Sequence, residues 1–436
     1  MKIDMELTVK TRIYPTEEQE SLLSKSVSSY AAACNYVSDI VFKTHELSRF
    51  DLIKETYRDV RADFGLLAQQ AQSVSRTVIS SYKTILKNQK EWIQPHYSSS
   101  FVELVYGKDF SFPATKPGLL SISTSYGRLA MPYDTTNLNR YSDRKLEYGG
   151  SKLKRIRDKW YILLVVSFEV DVESADNVRN VVGVDRGINF VAATYDSRGK
   201  SKFYHGRSAK AVRARYNSVR AELQTKGTPS SRRRLKRIGQ RENRWMRDVN
   251  HCVSKALVRD NPAGTMFVLE DLSGISKGKT MRKRDRKGRN QLVSWSFYEL
   301  GQMLAYKAQL AGDLVLEVPA EYTSQACPKC GHTEKSNRDK AKHSFECKNC
   351  HYRSNDDRIG AMNLFRMGVD YLASTEEPKG HTLLVGAKST APRAASATPG
   401  CDATPDASKA GTAKVVGSGK GPSTTGQSQT RHFNAE

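Results

Sequence analysis

Four cysteines stand in two close pairs: Cys327-Pro328-Lys329-Cys330 and, sixteen residues on, Cys347-Lys348-Asn349-Cys350. This is the ligand spacing of a four-thiolate zinc ribbon, in which each pair grips one metal from a tight knuckle. Gly331 supplies the permissive backbone that such a knuckle favours. His351 takes the equivalent place in the second pair, and histidine tolerates the left-handed region better than most residues. Four thiolates close the coordination sphere, so the expected zinc is structural. His332 and His343 are alternative ligands, expected instead as surface residues. The bland reading is four reduced thiols placed together by chance.

Three acids suggest a second kind of chemistry. Asp185 ends the apolar run Val181-Val182-Gly183-Val184, and Glu270 ends Met266-Phe267-Val268-Leu269. An acid at a strand end is usually structural, and Gly183-Val184-Asp185-Arg186-Gly187 alone is a weak motif. Among buried valines, however, a carboxylate is costly unless it binds something cationic. Neighbouring Asp271 should point to the opposite face from Glu270. Asp357 opens the last helical pattern, directly after the second cysteine pair, and shares a face with Gly360, Ala361 and Leu364. That small-residue stripe suits packing against a sheet. Asp356 lies about 100° round the helix and is expected as an N-terminal cap or solvent residue. Asp185, Glu270 and Asp357 together could hold two Mg²⁺ or Mn²⁺ about 3.5–4 Å apart, one activating water and one stabilising a leaving 3′-oxygen. Hard oxygen ligands suit those ions rather than zinc.

Positioning such groups takes a chain with room for a core, and 436 residues allow two or three domains. The formal charge is +24, from 70 Lys+Arg against 46 Asp+Glu, which points to a polyanionic partner, nucleic acid above all. A membrane surface is the rival. No apolar run is long enough to span one, and the first residues lack the apolar core of a signal peptide. A soluble, cytoplasmic, nucleoid-associated protein is expected. The remaining cysteines, Cys34, Cys252 and Cys401, are too scattered for a disulfide framework. The first two fall in helical patterns as inert thiols.

Residues 6–14 alternate as a half-buried strand until Pro15 stops them, and Thr16 with Gln19 resembles a capping box. Helical patterns run to about Trp92, with Val74, Val78, Tyr82 and Ile85 as one apolar stripe. The polar face beside it carries Gln69, Gln72, Arg76 and Lys83, the last three being candidate nucleic-acid contacts. Strands are predicted around 101–106, 119–124 and 128–133 and from Trp160 to Val170. This order suggests a β-barrel with a helical domain inserted into it. A second unit begins near Arg179 with strands at 181–185, 190–195 and 201–205, followed by a helical hairpin over 208–260. The hairpin carries Arg232, Arg233, Arg234, Lys236 and Arg237, predicted to contact phosphates. A strand over 265–270, a basic loop from Lys277 to Arg289, a helix from Ser294 to Leu310 and a strand over 313–318 follow. The order matches an RNase H-type α/β domain. From about Ser374 the composition is polar and aperiodic, and 375–436 are expected to be disordered.

Val182-Gly183-Val184-Asp185-Arg186-Gly187, Val268-Leu269-Glu270-Asp271-Leu272, the Cys327–Cys350 ribbon and Asp357-Arg358-Ile359-Gly360-Ala361-Met362-Asn363 resemble the RuvC-like signature of TnpB proteins. Trp295-Ser296-Phe297-Tyr298-Glu299-Leu300, Tyr306-Lys307, Tyr14-Pro15-Thr16-Glu17-Glu18-Gln19 and Ala33-Cys34-Asn35 fit as well, so the resemblance covers roughly residues 6–370. Those proteins are RNA-guided endonucleases of bacterial insertion sequences, relatives of the compact type V CRISPR effectors. The resemblance implies a multidomain α/β and β architecture: a wedge β-barrel over 1–178 with a helical recognition insertion at about 16–95, then an RNase H-like RuvC domain over 179–373. A zinc-ribbon insertion falls at about 320–355, and 374–436 form a tail. It further implies a guide RNA and target DNA as partners, and DNA cleavage at Asp185, Glu270 and Asp357. A type V CRISPR effector, a repressor without cleavage and a strand-joining transposase are the other readings. Gly360 and His351 depart mildly from the commonest pattern.

Overall fold

The computed structural model describes residues 1–89, 91–98, 101–156, 158–187, 189–238, 241–272, 297–374 and 378–384. The predicted loop Lys277–Arg289, Trp295 and Cys401 lie outside these residues. The chain opens with β1 (Lys2–Ile13), then α1 (Glu17–Thr44), α2 (Arg49–Phe64) and α3 (Ala68–Gln89). Seven strands follow: β2 (Phe101–Leu104), β3 (Phe110–Ser111), β4 (Leu119–Thr124), β5 (Gly127–Pro132), β6 (Glu147–Tyr148), β7 (Ser151–Ile156) and β8 (Lys159–Asp171).

Alternation in the sequence sets the first sheet. Ile3, Met5, Leu7, Val9 and Ile13 of β1 are buried, and the strand pairs antiparallel with β8 from Lys2–Asp171 to Ile13–Trp160. The order is β1-β8-β7-β2, with β6 against β8, and β3-β4-β5 form a separate three-stranded sheet. The expected barrel does not close among the described residues. An isolated bridge between Ile13 and Tyr133 links the end of β1 to the chain just past β5, and β3 and β6 are two residues long, too short to complete a ring. The helices form where expected. Thr16 and Gln19 make the reciprocal capping box of α1, and Leu23, Val27, Tyr30, Cys34, Val37 and Val41 are its buried stripe. Burial pushes the Cys34 thiol far up, as an inert core residue requires.

The second half is one six-stranded sheet with helices on both faces. Its elements are β9 (Asn180–Asp185), β10 (Phe190–Asp196), β11 (Ser201–His205), α4 (Arg207–Lys226), α5 (Pro229–Ile238), α6 (Arg241–Arg259), β12 (Thr265–Glu270), α7 (Phe297–Leu310) and β13 (Leu314–Val318). The ribbon strands β14 (Arg338–Asp339), β15 (Ser344–Glu346) and β16 (Arg353–Asn355) follow, then α8 (Asp356–Ala373) and β17 (Thr382–Leu383). The order is β11-β10-β9-β12-β13-β17, with β9, β12 and β13 parallel. Side-chain alternation splits the sheet into two cores. Val182, Val184, Phe267, Leu269 and Val315 meet Leu257 of α6 and Leu304, Ala305 and Ala308 of α7. Val181, Met266, Val268 and Leu316 belong instead to the core that contains Leu364 of α8.

Two further predicted features change. The expected hairpin over 208–260 is three helices: α4 ends at Gly227, which takes φ 61°, and Pro229 opens α5. Glycine at such a cap and proline at a first helical position divide the helices for ordinary backbone reasons. The tail is not structureless from Ser374. Gly380, at φ 81°, lies in the turn that brings Thr382 and Leu383 against Glu317 and Leu316, and the Leu384 N–H donates to the Val315 carbonyl at 2.9 Å. This short strand covers the edge of β13 that would otherwise stay unpaired. It is too brief to show a period. Residues 385–436 lie outside the described ones.

Candidate nuclease centre and metal ribbon

Parallel pairing of β9 with β12 aligns Val184 with Leu269, so Asp185 and Glu270 leave the sheet side by side on the face that carries α8. Gly183 and Gly360 permit the close approach. A Cβ on Gly183 would stand 2.0 Å from the Ala361 carbonyl oxygen, and one on Gly360 2.7 Å from Asp185 Oδ2. Gly360, which departs from the commonest pattern, therefore leaves the space that the Asp185 carboxylate fills. Asp357 sits in the first turn of α8, capped by Asn355, whose side chain accepts from the Asp357 and Arg358 N–H groups.

Burial pushes the Asp185 carboxyl well above the usual range, and the nearby charges of Glu270 and Asp357 push it further. Glu270 is also raised by burial, against a hydrogen bond donated by the Thr323 hydroxyl. Asp357 is raised by burial and then by Asp356. Its Oδ2 atom is buried with no hydrogen-bond partner. Three buried acids, of which two oppose the ionisation of Asp185 and one has an orphaned oxygen, fit a hard divalent cation. They do not draw together as tightly as the cysteines: among the described residues the four thiols are the group of ligands that closes into one cluster.

Asp356 is neither cap nor solvent residue. It is fully buried and pairs with Arg338 at 2.8 Å, while the same guanidinium stands 4.0 Å from Asp357 Oδ1. Its Oδ1 also accepts from the Asp357 N–H at 3.0 Å. Helical angle alone put Asp356 toward solvent, but the ribbon lies over that side of the helix. Sequence reasoning also missed Thr323, Arg338 and Arg186. Arg338 lies in the ribbon with no motif to mark it. Arg186 follows Asp185, so it points to the α7 face, where a Cβ on Gly301 would meet it at 2.3 Å and where Glu317 and Asp271 lie in electrostatic range. It donates to the Glu270 carbonyl from there. Asp271 is thus on the opposite face from Glu270, as alternation required.

The ribbon is built as two matching knuckles. Gly331 N–H donates to the Cys327 carbonyl at 2.9 Å and His351 N–H to the Cys347 carbonyl at 3.0 Å, with φ of 76° and 55°. The Sγ atoms of Cys327 and Cys350 lie 3.6 Å apart and those of Cys330 and Cys347 3.5 Å apart, with all four within 4.8 Å. A tetrahedral zinc with bonds of about 2.3 Å needs sulfurs about 3.8 Å apart. The residues fit zinc. The backbone amide of His332 holds the Cys330 thiol down to about 6, toward the thiolate a metal requires. Neither His332 nor His343 joins the cluster. Cys327, Phe345 and Cys347 pack with Ile359 of α8, and Asn363 donates to the carbonyls of Thr323 and Ala326 at 2.7 and 2.8 Å. The ribbon is therefore fastened to the helix that carries Asp357.

The predicted nucleic-acid residues fall in two places. On α3, Arg76 is held by Glu103 at 3.0 Å, Gln72 is half-buried and Lys83 exposed. On α5, Arg233, Arg234 and Arg237 face the space between α4 and α6, whereas Arg232 and Lys236 are exposed outside it.

Two family models match the chain: one described as a probable transposase over residues 164–273, and the Cas12f1-like TNB domain over residues 297–364. InsQ of Escherichia coli (strain K12), whose name describes it as an RNA-guided DNA endonuclease, is 30% identical over 50% of this chain and 56% of its own length. The CRISPR-associated endodeoxyribonuclease Cas12f1 of Syntrophomonas palmitatica is 28% identical over 57% of this chain and 51% of its own. The TnpB-like protein L770 of Acanthamoeba polyphaga mimivirus is 22% identical over 83% and 73%. The chain resembles TnpB proteins and Cas12f effectors. It spans about half the length of the first two relatives. A cryo-EM structure of a Cas12f1–sgRNA–target DNA complex shares the mixed α/β fold, with a TM-score of 0.53 and 14% identity over 83% of this chain and 98% of that one.

Proposed function

We propose that this chain is an RNA-guided DNA endonuclease of the insertion-sequence TnpB kind, with β9, β12 and α8 as the core of an RuvC-like centre. The observation that carries it is the convergence of Asp185, Glu270 and Asp357 on one face of the sheet, with an orphaned Asp357 oxygen. In this reading the three carboxylates hold Mg²⁺ or Mn²⁺. When bound, such ions supply a nucleophilic water at neutral pH and stabilise charge at a leaving 3′-oxygen. Thr323 orients Glu270 by donating to its carboxylate, and Arg338 fixes the first turn of α8 through Asp356. The ribbon cysteines hold zinc as a strut for that turn.

The +24 charge fits a chain that grips a guide RNA paired to target DNA by backbone contacts and leaves sequence reading to base pairing. The β-rich first half and its three helices act as wedge and recognition elements. The probable-transposase description favours one second reading, strand joining. Sequencing of RNA copurified with the protein tests the first. One enriched non-coding transcript with a variable end is expected; bulk cellular RNA, with DNA products joined rather than cut, would favour the second. No described helix is long and apolar enough to cross a membrane.

A further inference from the structure

A cavity of about 960 Å³ opens between α4, α5 and α6, away from the acids. Such a volume is at the upper end of ordinary ligand pockets, about 300–1,000 Å³, and admits a nucleotide. Its rim and walls carry Arg215, Arg233, Arg234, Arg237 and Arg241. The rings of Tyr216 and Trp245 and the side chains of Val212 and Val219 are among the rest of the lining, and the described residues of the lining include no acid. The nearby carboxylates are occupied elsewhere: Glu242 is buried and pairs with Arg213 and Arg220, and Glu222, in electrostatic range of Arg234, pairs with Lys226 at 2.7 Å. Among the described residues none of the five cavity arginines is in an ion pair. Five guanidiniums held around one opening repel each other, and a polyanion relieves that repulsion.

We propose that this cavity holds an unpaired segment of the DNA strand being cut, with a base against Trp245 and its phosphates among the arginines. The inference rests on the nuclease reading above. Rings and apolar side chains inside a rim of arginines are the combination that binds single strands, since an unpaired base offers a face to stack and a duplex does not. An acidic peptide would satisfy the charge but leave the rings unused. Position selects the cut strand over the guide. Lys210, near the start of α4, donates to the Asn189 side chain, which lies 2.6 Å from His343 Nε2. The other nitrogen of that histidine is 3.8 Å from Asp356, next to Asp357. Along α4, Arg215 and Val219 follow Lys210 by about 8 and 14 Å at 1.5 Å per residue. A strand leaving the acids therefore reaches the cavity within a few nucleotides.

The test is photocrosslinking of a single-stranded DNA oligonucleotide carrying 5-iodouracil to the purified full chain with its copurified RNA. An RNA oligonucleotide of the same sequence and the duplex serve as comparison probes. The DNA probe is expected to cross-link to Trp245 or Tyr216. Arg233→Ala with Arg237→Ala, both exposed and without a side-chain hydrogen bond or ion pair among the described residues, should weaken DNA binding and lower its salt slope by about 1.4. Trp245→Leu should weaken it about 5- to 100-fold, and Trp245→Phe should restore most of the loss. Preferential cross-linking of the RNA probe, or DNA binding unchanged in every variant with cross-links elsewhere, would overturn the proposal. The readout is binding, so it is separate from the nuclease reading. Guided cleavage without the cross-link removes only the cavity assignment, and the cross-link without cleavage removes only the nuclease.

Discussion

Asp185 is the acid whose ionised form the metal-free fold tolerates least, because burial and two neighbouring acids all raise it. A carboxyl raised in the folded state contributes stability below the ordinary carboxylate range, and that contribution is lost as pH rises through the folded value. Metal-free protein should therefore weaken between mildly acidic and neutral pH, and Mg²⁺ should restore more stability at pH 7.5 than at pH 5.5. Asp185→Asn should abolish cleavage yet raise the metal-free Tm at pH 7.5 by a few degrees, roughly the effect of 1–2 kcal/mol in a domain this size. Thermal melts with and without Mg²⁺ check both signs; a lower Tm for Asp185→Asn would contradict the crowding of charge at this site. Gly360→Ala is the steric counterpart. Its methyl group would meet Asp185 Oδ2 at 2.7 Å, so cleavage should drop sharply for about 1–3 kcal/mol of lost stability. Asp356→Ala should also be harmful, since it leaves the Arg338 guanidinium without its buried partner. Asp185 and Glu270 were legible because they end apolar runs of the right period, and Asp357 because it opens a helix with a small-residue face just after the second cysteine pair. Thr323 and Arg338 were not: one lies in a turn and the other on the two-residue strand β14, too short for a period to report direction.

At the scale of elements, the ribbon acts as a brace on α8. Its core shares Ile359 with the helix, Asn363 ties the helix to the base of the ribbon, and Arg338 closes over the first turn. Cys347→Ser, or removal of zinc by a chelator selective for it, should reduce cleavage while the first half of the chain stays folded. Limited proteolysis would then show new cuts within 320–355 before any in β1 or α1. Simultaneous loss of both halves would mean that the ribbon supports the whole fold. The knuckles were readable from spacing alone, because two residues between thiolates and a left-handed position after each pair follow from metal geometry. The break between α4 and α5 was written in Gly227-Thr228-Pro229, at the centre of a polar run from Gln224 to Arg234. The barrel was an inference from strand order, and order says nothing of which edges meet.

For the whole molecule, β17 is the last described strand and pairs with the edge of β13. A chain stopped after Leu384 should keep the pairing with β13 and melt above one stopped at Ala373. One stopped at Ala373 exposes the β13 edge and loses the hydrogen bond from Gln309 to the Leu384 carbonyl. It should melt lower and aggregate more readily. Equal melting of both would show that the strand adds nothing. The charge, too, belongs to the molecule rather than to a site. Nucleic-acid affinity should fall steeply between 50 and 200 mM salt as counterions are released.

The central claim is tested most directly by incubating the protein with a defined guide RNA, Mg²⁺ and DNA that carries the matching sequence. The account predicts cutting of matched DNA and none of mismatched DNA. It also predicts that Asp185→Ala, Glu270→Ala and Asp357→Ala each bind the matched DNA but leave it whole. Cutting that ignores the guide sequence, or that survives loss of any one of these acids, would contradict it.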